Sequence, residues 1–134
     1  MKNVLSIVTA VLMVAMVLAF GAKTVLAQDP VKVAPNNYKV LLENDRVRVL
    51  EAHLKPGEKV AMHSHPPHVL YFISGGKGKF TSPDGKVAER EFPTGGTAWS
   101  EADTHSPENV GTTDIRVLVM EMKEPPKMEK ETKK

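Results

Sequence analysis

Between Tyr38 and Met122 the chain is cut into short pieces, and that punctuation constrains the fold more than any other feature. Asn44-Asp45, Lys55-Pro56-Gly57, Pro66-Pro67, Gly75-Gly76, Pro83-Asp84-Gly85 and Gly111-Thr-Thr separate the pieces. Proline presets φ and glycine supplies freedom at positive φ, so such clusters turn the chain. The runs between them are Tyr38–Glu43, Val47–Leu54, Glu58–His65, His68–Ser74, Lys79–Ser82, Lys86–Phe92, Thr97–Trp99, His105–Val110 and Ile115–Met122. None carries a helix-length apolar period. Pro83-Asp84-Gly85 between two of them is a hairpin signal. Many short strands at this spacing predict an all-β sandwich or barrel, and the roughly 95 residues from Gln28 to Met122 are enough for one domain.

Four of the chain's five histidines fall into one pattern: His63-x-His65-x-x-His68, then His105. His63 and His65 sit two apart on a strand and share a face, their Cα atoms about 7 Å apart, so both imidazoles can converge on one ion. A lone pair of histidines beside a turn would read as half-exposed polar surface. Four of five, in a chain otherwise poor in histidine, read as a metal site. His68 lies at an odd offset from the other two. Either Pro66-Pro67 breaks the register and His68 restarts the next strand facing inward, or His68 caps the bend in solvent; the ligand set adopted is His63, His65, His68 and His105. The chain has no cysteine, which excludes thiolate ligands, disulfides and lipid attachment at a thiol. Nitrogen-only ligation favours a divalent transition metal, Fe, Ni, Cu or Zn, over Mn. His53 alternates with Val47, Val49 and Glu51 and reads as structural or surface. Asn109 reads either as support behind a ligand or as a turn residue. Glu101 and Asp103 read as a solvated loop near His105. Phe72 and Trp99 are expected to wall a cavity, with ordinary core as the other reading of Trp99.

These residues resemble the cupin family. Gly57, five residues, then His63-x-His65 is similar to the opening of the first cupin motif, and Leu70-Tyr-Phe-Ile-Ser-Gly75 to its closing strand and turn. Pro93-x-Gly95 and His105-x-x-x-Asn109 are similar to the start and end of the second. The likeness runs from about Tyr38 to Met122, and it implies a jelly-roll β-barrel with a metal in its mouth. It also implies a homodimer formed through a sheet face, with Tyr71 and Ile73 on the outer side of their strand. Two departures matter. His68 stands where the family places a glutamate, and Gly96–Thr104 intervenes before His105. The family implies several functions: oxygen-dependent cleavage or isomerisation of a small organic molecule, non-catalytic binding of a metal or small ligand, or a purely structural domain.

The ends of the chain carry separate signals. Met1-Lys2, the apolar run from Val4 to Phe20 and Val25-Leu26-Ala27 read as a signal peptide over residues 1–27, cleaved after Ala27. Left uncut, the same run would act as a membrane anchor. Cleavage places the protein in the periplasm or outside the cell, with no membrane attachment. Residues 28–37 read as a linker, 38–122 as the domain and 123–134 as a disordered charged tail. The signal holds Lys2 and Lys23 and no acid, so the mature chain is balanced between acids and bases. It offers no basic stripe for nucleic acid.

Overall fold

Nine strands occupy the runs between the turns in a computed structural model of the protein, which describes residues 28–124. The expected signal peptide, its cleavage site and the tail beyond Glu124 lie outside the described residues. The strands are β1 (Tyr38–Glu43), β2 (Val47–Leu54), β3 (His63–His65), β4 (His68–Ser74) and β5 (Gly76–Thr81), then β6 (Val87–Phe92), β7 (Thr97–Ser100), β8 (Asp103–Asn109) and β9 (Ile115–Met122). They form a five-stranded sheet in the order β1-β2-β9-β4-β7 and a four-stranded sheet in the order β3-β8-β5-β6. The paired strands run antiparallel.

Alternation decides what faces inward. On β2 the buried residues are Leu50, Ala52 and Leu54, and on β9 they are Ile115, Val117 and Val119. Phe72 from β4 completes this core and stacks on Phe92 of β6 at 4.3 Å between ring centroids, 13° from parallel. The two inner faces thus meet side chain to side chain, as in other sheet-on-sheet folds.

Two glycines hold the corners. Gly57 has φ of 79°, in the left-handed region where other residues are strained. At Gly75, where the chain leaves the five-stranded sheet for the four-stranded one, a Cβ would meet the Phe92 carbonyl oxygen at 2.0 Å. No other residue fits there without moving the backbone.

Several boundaries differ from the sequence reading. The run expected as a strand from Glu58 to His65 is regular strand only at His63–His65. Val60 donates its N–H to the Pro107 carbonyl at 2.8 Å, but Pro107 has no N–H to return, so no reciprocal ladder forms at that point. Strand β8 begins at Asp103, two residues before His105, so Asp103 is not a loop residue. Residues 28–37, read as a linker, carry helix α1 (Pro30–Val33). Asp29 caps it by accepting the Val31 N–H at 2.9 Å, and Pro30 occupies the first turn, where its missing N–H costs nothing. Ala34 just beyond it is buried in the core, and the Gln28 carbonyl accepts the Ser64 N–H at 2.8 Å. The segment is therefore packed against β1 and β3. Among the described residues no helix is long and apolar enough to cross a membrane.

Candidate metal centre

The four-stranded sheet supplies most of the site. In the β3–β8 ladder His63 lies directly opposite His105, and His65 opposite Asp103. One ligand atom from each of His63, His65 and His105 falls within 4.8 Å of the other two. The Nε2 atoms of His63 and His65 are 3.0 Å apart. His68 faces inward from the other sheet, as the Pro66-Pro67 break predicts, and is 2% exposed. Its ring centroid lies 5.0 Å from that of His65. It is not part of the three-histidine cluster, however, so the expected four-ligand set divides into three close nitrogens and one imidazole beside them.

The hydrogen bonds assign the tautomers. His63 Nδ1 donates to the Ala61 carbonyl at 2.8 Å, and His68 Nδ1 to the Pro66 carbonyl at 2.8 Å. His65 Nδ1 meets Glu121 Oε1 at 2.7 Å, and His105 Nδ1 meets Asp103 Oδ2 at 2.7 Å. Carbonyls and carboxylates only accept, so each Nδ1 carries the hydrogen. In the neutral form of each ring Nε2 is then the nitrogen that carries the lone pair. The 3.0 Å approach of His63 Nε2 to His65 Nε2 then sets two lone pairs against each other, an arrangement that a cation relieves. Tyr38 Oη, 3.0 Å from His63 Nε2, is the hydroxyl within reach of that lone pair. A carboxylate or carbonyl behind each ring is the arrangement that fixes and enriches metal-ligating histidines. One further atom belongs to this site: Asp103 Oδ1 is the buried side-chain oxygen without a hydrogen-bond partner among the described residues. The donor set fits a divalent transition metal.

Sequence reasoning missed the carboxylates. Glu121, 2% exposed, accepts from both His65 and the Arg48 Nε–H, the latter at 2.6 Å. Arg48 donates onward to Asp29 at 2.6 Å, which ties the cap of α1 to the metal site. A signal was present. Alternation on β9 puts Glu121 on the face of Ile115, Val117 and Val119, and on β2 it puts Arg48 on the face of Leu50 and Ala52. These two inward charges pair directly across the β2–β9 ladder. Asp103, which reads in the sequence as part of a solvated loop, is the first residue of β8.

Burial and neighbouring charge set the protonation states. Burial pushes His63 down to about 4, and repulsion from His65 and His105 adds to this against the Ala61 hydrogen bond. Burial also lowers His68. Burial alone would raise Glu121, but its bonds to His65 and Arg48 prevail and hold it below the ordinary glutamate range. Asp103 is treated the same way, burial raising it and the His105 bond and charge lowering it further. Burial, with Asp103 and Glu121 nearby, raises Tyr38, so its phenol keeps its hydrogen at neutral pH. The result is that His63 and His68 are held neutral beside the ionised carboxylates of Glu121 and Asp103, and a neutral imidazole is the form that binds a metal.

The remaining expectations resolve as follows. His53 lies at the surface with Nε2 2.8 Å from Asp114 Oδ2. Asn109 is buried and structural: it donates to the Leu54 and Thr113 carbonyls and accepts the Gly111 N–H, stapling three segments. Phe72 lines a cavity of about 80 Å³ beneath the histidines. Trp99 is not core; it is 55% exposed at the rim of an outer cleft and donates its indole N–H to Glu101 at 2.7 Å.

Neither a family model nor a curated protein matches the sequence. Solved structures do match the fold. A cupin domain from Bordetella pertussis Tohama I superposes with a TM-score of 0.60 at 24% identity, over 65% of this chain and 92% of its own. An RmlC-like cupin family protein with a double-stranded β-helix fold from Methanocaldococcus jannaschii gives 0.53 at 17% identity, over 68% and 83%. A conserved protein with a double-stranded β-helix domain from Klebsiella pneumoniae gives 0.50 at 24%, over 65% and 83%. With two antiparallel sheets closed over a shared core, the chain is a cupin-fold domain protein.

Proposed function

We propose that the protein holds one divalent transition metal on His63, His65 and His105 and presents it to a small organic molecule. The observation that carries this reading is the hydrogen-bond pattern: every histidine of the cluster has Nδ1 engaged by a carbonyl or carboxylate, which leaves Nε2 as the nitrogen for a metal. Three neutral nitrogen donors favour Fe, Ni, Cu or Zn over Mn. Such an ion, when bound, polarises an oxygen of the substrate or lowers the pKa of a bound water. His68 lines both the inner cavity and an outer cleft, so it stands beside the open face of the site and not behind it. Metal-dependent conversion of the bound molecule, by oxygen-dependent cleavage or isomerisation, is the enzymatic form of this reading. The outer cleft supports it over a purely structural role, because a vestigial site needs no access. We further propose that the protein is exported and forms a homodimer. Val4–Phe20 with Val25-Leu26-Ala27 supports export, and exposed Tyr71 supports pairing. A native N-terminus other than Gln28, or a monomer mass by sedimentation, removes the respective claim.

Competition binding with Mn(II) and Ni(II) tests the ligand assignment. With three ligands, His68→Ala and His68→Glu keep Ni(II) ahead of Mn(II) and change Ni(II) affinity by less than about threefold. If His68→Ala costs as much affinity as His105→Ala, the site has four nitrogens and the open face is lost. A His68→Glu protein that prefers Mn(II) points to the same conclusion.

A further inference from the structure

The histidines open onto a cleft of about 540 Å³, within the range that takes a small organic ligand. His68 and His105 line this cleft and also the inner cavity, so they form the boundary between the two. Its walls are largely apolar, with Leu70, Phe80, Phe92 and Ala98 among them. Three charged residues break that pattern, Lys86, Arg90 and Asp103, and of these Lys86 is paired with Asp84 and Asp103 with His105. Alternation on β6 places Arg90 on the same inward face as Ala88 and Phe92, and all three line the cleft. Arg90 pairs across the ladder with Gly78, which has no side chain to cover it.

Nearby lysines each have an acid. Lys77 holds Glu89 at 2.8 Å, Lys79 holds Glu108 at 2.7 Å and Lys86 holds Asp84 at 3.1 Å. Arg90 has no carboxylate within ion-pair distance among the described residues, although Glu89 and Glu91 adjoin it in sequence. Those two point to the opposite face of β6. A guanidinium is a planar fork that matches a carboxylate, and beside an apolar wall its attraction for an anion is less screened than in open water.

We propose that this cleft takes a small carboxylic acid with a flat apolar body, its carboxylate held by Arg90 and its body laid over Leu70 and Phe80 toward His68 and His105. The assignment rests on the reading of the histidines as a metal centre only for what happens at the far end of the molecule. The anion contact itself is independent of the metal.

The test uses the purified full chain, metal-free and Ni(II)-loaded, titrated with benzoate, benzyl alcohol and phenyl phosphate by ligand-observed NMR. Benzoate is expected to bind at least tenfold more tightly than benzyl alcohol in both forms. Arg90→Gln is expected to erase that difference, and Arg90→Lys to restore part of it. Arg90 is exposed, and an unchanged thermal midpoint shows that its variants are folded. Benzoate binding that ignores Arg90→Gln, or that requires Ni(II), overturns the proposal by assigning the anion elsewhere. Phenyl phosphate binding tenfold tighter than benzoate overturns the carboxylate class. Failure of the metal reading registers separately, as Ni(II) retained by His63→Ala, and leaves the metal-free benzoate result standing.

Discussion

Glu121→Gln is expected to lower the stability of the metal-free protein by about 3 kcal/mol and its Ni(II) affinity by about 10- to 100-fold. The change conserves size and removes one charge. Glu121 is buried, and it holds His65 Nδ1 at 2.7 Å and Arg48 Nε at 2.6 Å. The amide leaves Arg48, whose side chain is 15% exposed, with Asp29 as its one remaining acid in this network. Removing half of a buried pair is costly, and the partly exposed Asp29 is then the one charge left to offset Arg48. The same amide weakens the acceptor that fixes the His65 tautomer, so the metal term follows from a residue that touches no metal. Arg48→Met combined with Glu121→Leu separates the two effects. Removing both charges is expected to return stability to within about 1 kcal/mol of wild type while metal affinity stays low. Urea unfolding and Ni(II) competition read the two quantities. A wild-type urea midpoint in the Glu121→Gln protein would show that the pair contributes nothing.

His63→Ala is expected to lower Ni(II) affinity by at least about 100-fold, because it takes one of three nitrogen donors from the ion. His63 is fully buried, opposite His105 and in contact with Tyr38 and His65. The same variant carries a signature in acid. In the fold His63 resists protonation down to about 4, whereas its ordinary value is 6.5. The unfolded chain therefore takes up a proton between these limits that the folded chain refuses. The contribution is complete above pH 6.5, is lost as pH falls toward 4, and amounts to about 2–3 kcal/mol. His68, also lowered by burial, adds in the same direction. Metal-free wild type is thus expected to lose stability from pH 7 to pH 4.5 more steeply than His63→Ala. Parallel urea midpoints for the two proteins across that range would contradict the buried, neutral state of His63.

Much of the division into strands could be read along the chain, because turn chemistry is local. Pro56-Gly57, Pro66-Pro67 and Pro83-Asp84-Gly85 fall at chain turns in the structure for the reasons that predicted them. The His63–His65 pair was legible for a similar reason: a period of two is a property of the strand itself. What failed was whatever depends on a neighbour. The run Glu58–His65 looks like one strand until Pro107, from a distant segment, denies it a ladder. Residues 28–37 look like a linker because four helical residues have no period to detect, and their order comes from Asp29 meeting Arg48.

The site divides along the same line. By itself the sequence determined that imidazoles, and no thiolates, would gather on the strands around Pro66-Pro67, since composition and alternation suffice for that. Only the tertiary structure decided that His63 and His105 are cross-strand partners, that His68 stands beside their cluster, and that Glu121 and Asp103 back His65 and His105. Glu121 is 56 positions from His65, and Arg48 is 73 from Glu121. A hydrogen bond acts over about 3 Å, so separations of that size along the chain become contacts only through tertiary structure: strand pairing brings Arg48 to Glu121, and the closing of the two sheets brings Glu121 to His65.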